Sequence, residues 1–272
     1  MTKKIVVSVS GGKDSTACLI IALNENKKED VVPVFAETGW EHPLTYQYLE
    51  YLESRLGVKI IRVKSERYKN VLDVIEKKKI FPSSFRRICT DVLKIKPQIE
   101  FVYQLLNEGF EVEQWFGIRT DESDSRAKRY GHISSDDIFN IHDLFPNYPK
   151  KVKGLKVRFP VIDRNSNDIY RIITDAGLEI NPLYHKGFDR VGCFPCVIAG
   201  LKDYKKVWND EVGKQNILKL VELEEKLNKK GYAVRLKPDK SGREILEMLK
   251  LRDNQFILFD DNEDSKCGFC HY

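Results

Sequence analysis

A short apolar run that leads directly into a polar, glycine-containing loop is the feature that most constrains this chain. Residues 5–9 are mainly β-branched, and such a run favours a strand that is buried on both faces. Apolar residues then recur at helical spacing over 15–23. The loop between them reads Ser10-Gly11-Gly12-Lys13-Asp14-Ser15. A strand, a tight loop and a helix in this order predict an α/β fold.

The alternation of strands and helices continues along the chain. Further strands are predicted at 31–35, 59–63 and 114–118, and helices at 44–56 and 91–106. Strands that are separated by helices pair in parallel, and the crossover helices cover the sheet. We therefore expect an open, mainly parallel sheet with helices on both faces, extending to about residue 180. Ligands of such sheets bind at the carboxyl ends of the strands.

The pattern changes after Cys196. Residues 203–230 are rich in lysine and glutamate with apolar residues at helical spacing, which predicts an amphipathic helical region. A second helix is predicted at 241–251, where Ser241 and Glu244 have the spacing of a capping box. We expect a nucleotide-binding domain at 1–200 and a helical C-terminal extension at 201–272 that ends in a C-x-x-C tail.

Composition limits the class of protein. The chain has 272 residues, of which 42% are hydrophobic, enough to bury a core rather than remain disordered. It has no uninterrupted apolar run of about 18 residues, the length that a membrane helix needs. Nor does its start resemble a signal peptide. We expect a cytoplasmic protein with no membrane contact. The net charge of +5 is compatible with a nucleic-acid partner but does not require one.

The loop at 10–15 has the composition of a phosphate-binding loop. Its glycines let the backbone approach an anion, and amides at the start of the next helix point towards it. Lys13 adds a positive charge, and the hydroxyls of Ser10 and Ser15 can donate hydrogen bonds. The spacing is not that of a Walker A loop. A tight turn with a serine cap would explain the glycines but not the charged residues beside them.

The six cysteines are unevenly placed. Cys18 and Cys89 stand alone, and Cys18 falls on a predicted helix, where a small core residue is expected. The others form two C-x-x-C pairs, Cys193 with Cys196 and Cys267 with Cys270. Two such pairs in an intracellular chain indicate a metal or redox centre rather than a disulfide scaffold.

Several segments in order give the chain a family resemblance. The loop at 10–15 resembles that of the PP-loop ATP pyrophosphatases, which have the adenine nucleotide α-hydrolase-like fold. Residues 89–97 resemble the cysteine and Lys-x-x-Pro stretch of sulfonucleotide reductases. Residues 117–126 resemble their G-x-R-x-x-[EQ]-S-x-x-R segment, and 181–196 their N-x-L-Y and G-C-x-P-C stretch. The chain therefore resembles the PAPS reductase-like family across about residues 5–200.

The resemblance implies that Mg²⁺ and an adenine nucleotide bind to the loop. It makes Lys13 and Asp14 candidate catalytic residues, with Asp14 helping to hold the metal ion. A role in adenosine contact is implied for Glu37, which follows the second strand. The resemblance also implies that the segment after the fourth strand binds the nucleotide or a sulfate, through Arg119, Glu122, Ser123 and Arg126.

The complete loop separates this chain from the classical reductases, whose loop lacks the second glycine and the Lys-Asp pair. The resemblance thus favours ATP-dependent adenylation of an acceptor for sulfur transfer, as in DNA phosphorothioation and tRNA thiolation enzymes. A sulfur or electron donor protein would be a partner, and nucleic acid is one candidate acceptor. The tail at 266–271 resembles the reductase E-C-G-L-H motif, which keeps a PAPS or APS reductase as an alternative. A third alternative is a non-catalytic nucleotide-binding partner in a nucleic-acid modification complex.

The cysteines allow two assignments. Cys193, Cys196, Cys267 and Cys270 would form a closed four-thiolate site for zinc or a [4Fe–4S] cluster. Alternatively, Cys89, Cys193 and Cys196 would share a cluster with Cys267 or Cys270, leaving the other tail cysteine as a nucleophile or a persulfide carrier. The family resemblance favours the iron–sulfur cluster over zinc.

Overall fold

One six-stranded sheet forms the centre of the molecule in the computed structural model, which describes residues 2–260, with side chains through residue 251. The order across the sheet is β3-β2-β1-β4-β6-β5. All neighbouring pairs are parallel except the edge pair β5 and β6. The strands are β1 Lys3–Val9, β2 Val31–Glu37, β3 Ile61–Lys64, β4 Glu111–Phe116, β5 Ile138–Asn140 and β6 Lys156–Arg158. The predicted open, mainly parallel α/β fold is confirmed.

Helices follow most of the strands. A π-helical turn, Asp91–Ile95, joins α4 to α5. The α-helices are α1 Lys13–Glu25, α2 Pro43–Leu56, α3 Val71–Lys78, α4 Ile88–Thr90, α5 Lys96–Asn107, α6 Asp124–Tyr130, α7 Ile141–Leu144, α8 Ser166–Asp175, α9 Pro182–His185, α10 Leu201–Trp208, α11 Glu211–Lys229 and α12 Gly242–Asp260. The 3₁₀ turns are Lys28–Asp30, Thr120–Glu122 and Lys150–Val152.

The side chains of β1 alternate between two apolar layers. Ile5 and Val7 pack in a cluster with Leu19 of α1 and Leu49 of α2, whereas Val6 belongs to a cluster on the other face. This alternation is the period of two expected of a strand. It leaves β1 buried on both faces, as its β-branched composition predicts. The strand is therefore a rigid base for the loop that follows it.

The strand order also locates a switch point in the sheet. β1 pairs with β2 on one side and with β4 on the other, so the connection that follows β1 leads to one side of the sheet and the connection that follows β4 leads to the other. Open α/β sheets bind ligands in the crevice at such a point. The loops after β1 and β4 therefore meet where a ligand site is expected.

The C-terminal helices pack on the α/β body. Tyr204 of α10, Leu220 of α11 and Leu249 of α12 belong to one apolar cluster with Trp40 and Val71. No helix within residues 2–260 is both long and apolar enough to cross a membrane. The predicted domain boundary between residues 200 and 201 stays a prediction. Residues from both sides of it contribute to this cluster.

Several predicted elements differ in their bounds. The single helical region expected at 203–230 is two helices, because Asp210 accepts hydrogen bonds from Val212 N and Gly213 N and so caps a new helix. The fourth strand, Glu111–Phe116, begins three residues earlier than predicted. The capping box at the start of α12 is present: Glu244 N donates to Ser241 Oγ, and Ser241 N to Glu244 Oε2.

We predict that Leu220→Ala lowers the free energy of unfolding by about 2–5 kcal/mol, since it removes a fully buried side chain and leaves a cavity. Leu251→Ala, the same substitution at a side chain that is 65% exposed, is the control and should cost less than about 0.5 kcal/mol. Urea unfolding of both variants measures the difference. Equal losses would contradict the packing of α11 into the shared cluster.

Candidate functional site

The loop between β1 and α1 is closed by its own serines. Gly11 has a φ of +75°, and a Cβ there would lie 2.9 Å from Thr45 Cγ2, so the turn requires glycine. The hydroxyls of Ser10 and Ser15 lie 3.1 Å apart. Ser15 Oγ donates to Gly12 O at 2.9 Å, and Ser10 Oγ accepts from Gly12 N at 3.3 Å. Both serines therefore shape the loop, in addition to their predicted availability to a phosphate.

Two residues from far along the chain support this loop. Asn181, which is fully buried, donates from Nδ2 to Gly11 O at 3.1 Å. Tyr184 OH accepts from Lys13 N at 3.0 Å, and burial raises the pKa of this tyrosine. Asn181 and Tyr184 were not predicted as site residues, although both lie in the N-P-L-Y segment that contributed to the resemblance. The structure brings that segment directly onto the loop.

The charged residues of the loop form a partly buried network. Lys13 Nζ lies 3.7 Å from Asp14 Oδ2 and 5.3 Å from the centre of the Tyr184 ring. The other carboxylate oxygen, Asp14 Oδ1, accepts from Arg119 Nε at 2.5 Å. Lys13 and Asp14 are thus neighbours at the start of α1, where the sequence predicts the catalytic residues.

Arg119 is turned into the protein. It is 2% exposed, and NH1 donates to Asp121 at 2.9 Å and to the carbonyl of Arg164 at 3.3 Å. NH2 donates to Ser166 Oγ at 3.2 Å. Because protein groups already use these donors, the geometry suits a residue that positions Asp14. The predicted direct contact of Arg119 with phosphate or sulfate stays a prediction.

Two of the other residues predicted after β4 hold the start of α6. Glu122 forms an ion pair with Arg126 and accepts from Arg119 N. Ser123 Oγ accepts from Arg126 N at 3.4 Å as the cap of α6. Their local partners account for both side chains, and their predicted contact with nucleotide is untested.

Arg126 belongs to a group of positive charges beside the loop. Burial lowers its pKa, and the neighbouring charges of Arg190 and Arg87 lower it further, while Asp14 acts in the opposite direction. Arg190 donates to the carbonyl of Glu122 at 3.5 Å. Guanidinium groups that repel one another in this way favour a bound anion between them. Arg87 was not among the predicted site residues.

Glu37 and Glu41 flank a tyrosine after β2. Tyr46 OH lies 3.4 Å from Glu37 Oε1 and 3.1 Å from Glu41 Oε2. Glu41 is 8% exposed, and it accepts from Thr38 Oγ1 at 2.5 Å and from Trp40 N at 3.1 Å. Glu37 thus lies at the end of its strand as predicted, with its contact to adenosine untested. Glu41 was not predicted as a site residue.

The segment around Cys193 is fastened to this same region. Phe194 N donates to Trp40 O at 2.7 Å, and Trp40 Nε1 donates to Pro195 O at 2.9 Å. Cys193 Sγ lies 3.5 Å from Thr38 Oγ1. The Phe194–Pro195 peptide bond is cis. The first C-x-x-C pair is therefore held against the carboxyl end of β2.

Cys89 also comes close to this pair. Burial raises the pKa of Cys89, and the charges of Cys193 and Cys196 contribute in the same direction. Lys94, in the π-helical turn after Cys89, has a raised pKa that is due chiefly to Cys193. π-Helical turns occur often at functional sites. Three of the five predicted metal-ligating cysteines thus influence one another electrostatically.

The metal site itself stays a prediction. Among the described residues, no group of three or more His, Cys, Asp or Glu side chains is arranged to hold a metal ion. The four described cysteines are free thiols, and Cys18 is a fully buried core residue. Cys267 and Cys270, which the sequence predicts as ligands and as nucleophile, lie outside the described residues.

A partly buried lysine holds the chain after Cys196. Lys237 donates to the carbonyls of Val197 and Ala199, and its ammonium lies 4.2 Å from the centre of the Tyr204 ring. Burial lowers the pKa of Lys237 to about 8. This contact ties the segment before α12 to the cysteine-containing segment.

Comparison with known proteins identifies one family that matches the part of the chain containing these segments. The phosphoadenosine phosphosulfate reductase domain family matches residues 4–199. An uncharacterized 37.8 kDa protein of Escherichia phage 186 is 29% identical, over 77% of this chain and 72% of the phage protein. A phosphoadenosine 5′-phosphosulfate reductase of Buchnera aphidicola is 28% identical, over 69% of this chain and 68% of the reductase.

Two other matches cover a smaller share of the relative's length or have a lower sequence identity. An uncharacterized protein of Methanocaldococcus jannaschii is 32% identical over 75% of this chain, but the match spans only 38% of the archaeal protein. Among solved structures, the phosphoadenylyl-sulfate reductase of Candida auris aligns with a TM-score of 0.49 and 13% identity. That alignment covers 72% of this chain and 84% of the yeast protein.

We predict that Gly117→Ala disturbs the loop, because a Cβ there would lie 2.6 Å from Asp14 O and 2.7 Å from Ser15 N. These are backbone atoms, so the first turn of α1 must move, at a cost of about 1–3 kcal/mol in unfolding free energy. Urea unfolding and calorimetric titration with Mg·ATP measure the effect. Gly192→Ala is the control, since its Cβ would meet no atom within 4 Å. Equal behaviour of the two variants would contradict the contact.

Proposed function

This chain belongs to the phosphoadenosine phosphosulfate reductase domain family, and from that premise we propose that it is an ATP-dependent adenylating sulfurtransferase. The observation that carries the proposal is the complete Ser-Gly-Gly-Lys-Asp-Ser loop at the switch point of the sheet, with Lys13 beside Asp14. A reductase that takes an already formed adenylyl sulfate has no pyrophosphate to release. A loop with a lysine and a helix start suits an enzyme that does.

The backbone amides of the loop also support the proposal. The amide of Gly12 donates to the uncharged hydroxyl of Ser10, and the amide of Lys13 donates to that of Tyr184. Phosphate oxygens are stronger acceptors than hydroxyls because they are charged. We infer that the β- and γ-phosphates of Mg·ATP replace these hydroxyls, and that binding needs only local side-chain rotation.

In the proposed reaction, an oxygen of the acceptor attacks the α-phosphorus of ATP. The bond between the α-phosphorus and the bridging oxygen breaks, and pyrophosphate leaves with its charge stabilised by Lys13 and the loop amides. Asp14 has one oxygen held by Arg119, and its Oδ2 is the one available to the Mg²⁺ of the substrate. A sulfur nucleophile from a donor protein then displaces AMP from the adenylated acceptor.

The cysteine centre is a separate part of the proposal. The thiols of Cys89, Cys193 and Cys196 form a soft donor set, which suits an iron–sulfur cluster or zinc. The described residues supply at most three of four ligands, so Cys267 or Cys270 would be the fourth. When bound, a [4Fe–4S] cluster would supply a means of holding sulfur or passing electrons. Lys94 would then balance the negative charge of the thiolates.

A sulfonucleotide reductase is the second candidate, favoured by the similarity to the Buchnera enzyme and by the tail motif. There the thiolate of Cys267 or Cys270 attacks the sulfur of an adenylyl sulfate and forms a thiosulfonate while the nucleotide leaves. A dithiol such as thioredoxin then reduces this bond and releases sulfite. The group of arginines around Arg126 would suit either substrate.

Product analysis on protein purified without air distinguishes the candidates. We expect pyrophosphate from Mg·ATP supplied with bulk single-stranded DNA or RNA, and no sulfite from phosphoadenylyl sulfate with thioredoxin. Sulfite without pyrophosphate would replace the proposal with the reductase. Binding of ATP with neither product would favour a nucleotide-binding partner instead.

We predict that Lys13→Ala lowers the rate of pyrophosphate release about 100-fold or more, since it removes the cation that stabilises the leaving group. Iron content should not change, because Lys13 is not part of the cysteine group. The control, Lys202→Ala, removes a lysine from the exposed side of α10 and should leave the rate unchanged. Undiminished release in Lys13→Ala would remove the loop from the mechanism.

We predict that replacing both Cys193 and Cys196 by serine abolishes iron binding and visible absorption while Mg·ATP still binds. The physical reason is the loss of two soft ligands from the proposed centre. Metal analysis and the absorption spectrum of protein purified without air measure this. Cys18→Ala, a change at a buried core cysteine, is the matched control. Iron retained by the double variant would refute the ligand assignment.

A further inference from the structure

An exposed aromatic ring stands on a hydrogen-bonded turn next to the site. Residues 83–87, here called the Phe85 turn, connect α3 to α4. Ser83 and Arg86 exchange two backbone hydrogen bonds of 3.2 Å, and Arg86 N also donates to Ser83 Oγ. Phe85, between them, is fully exposed, whereas Phe81 just before the turn is 6% exposed. Phe81 therefore lies in the core before the turn, whereas the turn presents Phe85 to solvent.

Two arginines follow Phe85 without an acidic partner. In the part of the chain whose side chains are described, neither Arg86 nor Arg87 forms an ion pair with a carboxylate. Arg87 is close enough to Arg126 to lower its pKa, and Arg190 acts on Arg126 in the same way. The Phe85 turn therefore adjoins the positive group beside the loop. It also leads into Cys89, whose thiol interacts with those of Cys193 and Cys196.

The position of the turn separates it from the nucleotide loop. ATP would contact the loop after β1, whereas the turn belongs to the connection between α3 and α4. The turn thus lies in the chain just before Cys89, and its Arg87 is near Arg126 beside the loop. An aromatic face beside unpaired guanidinium groups is complementary to an unstacked base and its adjoining phosphates. A duplex offers no such base face, and an acidic protein surface would use the arginines but not the ring face.

We propose that the Phe85 turn binds a single-stranded polynucleotide, with a base stacked on Phe85 and backbone phosphates on Arg86 and Arg87. The inference deepens the proposed function and rests on it, since it names the class of acceptor that reaches the site. DNA and RNA share the chemistry that the turn recognises. The two differ at the 2′-hydroxyl, so the test includes both.

Fluorescence anisotropy with labelled strands of about 12 nucleotides, a length within the range that such surfaces cover, tests the proposal without ATP. The probes are a single-stranded DNA, an RNA of the same sequence and the corresponding duplex. We expect a single strand to bind more tightly than the duplex. Phe85→Ala should weaken binding about 10-fold, and Phe85→Trp should retain it, because stacking needs an aromatic face.

Charge is tested separately. Replacing Arg86 and Arg87 together by glutamine should reduce the slope of log affinity against log salt by about 1.4, the value for two lost phosphate contacts on a single strand. Two controls remove an aromatic ring or two positive charges elsewhere: Tyr232→Ala, an aromatic that is 41% exposed, and the Lys229→Gln, Lys230→Gln pair at the end of α11. Both controls should bind like the wild type.

Three outcomes would overturn the proposal. These are no binding of either single strand, equal losses in Phe85→Ala and Tyr232→Ala, or a duplex bound as tightly as the single strands. The first would leave a protein as the partner of Phe85. Because the binding assay contains no ATP, a failure of adenylation appears only in the pyrophosphate assay. Strand binding without pyrophosphate release would therefore contradict the proposed reaction and still support the Phe85 turn as a polynucleotide site.

Discussion

The buried ion pair between Arg119 and Asp14 is the interaction on which the site depends. A buried guanidinium is costly unless all its donors are used, and those of Arg119 reach three separate segments: the loop at Asp14, the turn at Asp121, and residues 164–166 before α8. Moving any one of these segments would leave a donor of the buried guanidinium without its acceptor. The pair therefore fixes the start of α1 relative to the end of β4, and with it the position of Lys13.

A second set of contacts fixes the cysteines relative to that loop. Backbone bonds join Phe194 to Trp40, and Glu41 accepts hydrogen bonds from its own turn. Asn216 of α11 donates to Phe194 O at 2.8 Å, so the C-terminal helices help to hold the C-x-x-C segment. The proposed adenylation and sulfur-handling parts thus rest on one framework, which keeps an acceptor within reach of both. The Phe85 turn leads into Cys89 of this framework and presents its aromatic ring to solvent.

Some predictions from sequence succeeded because the signal was local. The strand at 5–9, the loop and α1 are contiguous, so composition alone indicates their structure. The capping box at Ser241 and Glu244 is read within four residues. The break within the helical region expected at 203–230 was not predicted, because apolar spacing persists across it, whereas Asp210 caps a new helix. The hydrogen bonds of Arg119 to Ser166 and Arg164 were not predicted, since no pattern in its own segment reveals these partners.

Local sequence patterns are enough to predict the strand–loop–helix unit, the α/β alternation and the residue types available for phosphate and metal chemistry. These follow from φ preferences, β-branching and apolar period, all of which act between near neighbours. The residues that support them come together through long-range packing: Tyr184 contacts Lys13 across 171 positions of the chain, and Cys89 comes close to Cys193. Such pairings depend on how helices pack on the sheet, because burial and charge act through space and leave no periodic trace in the chain.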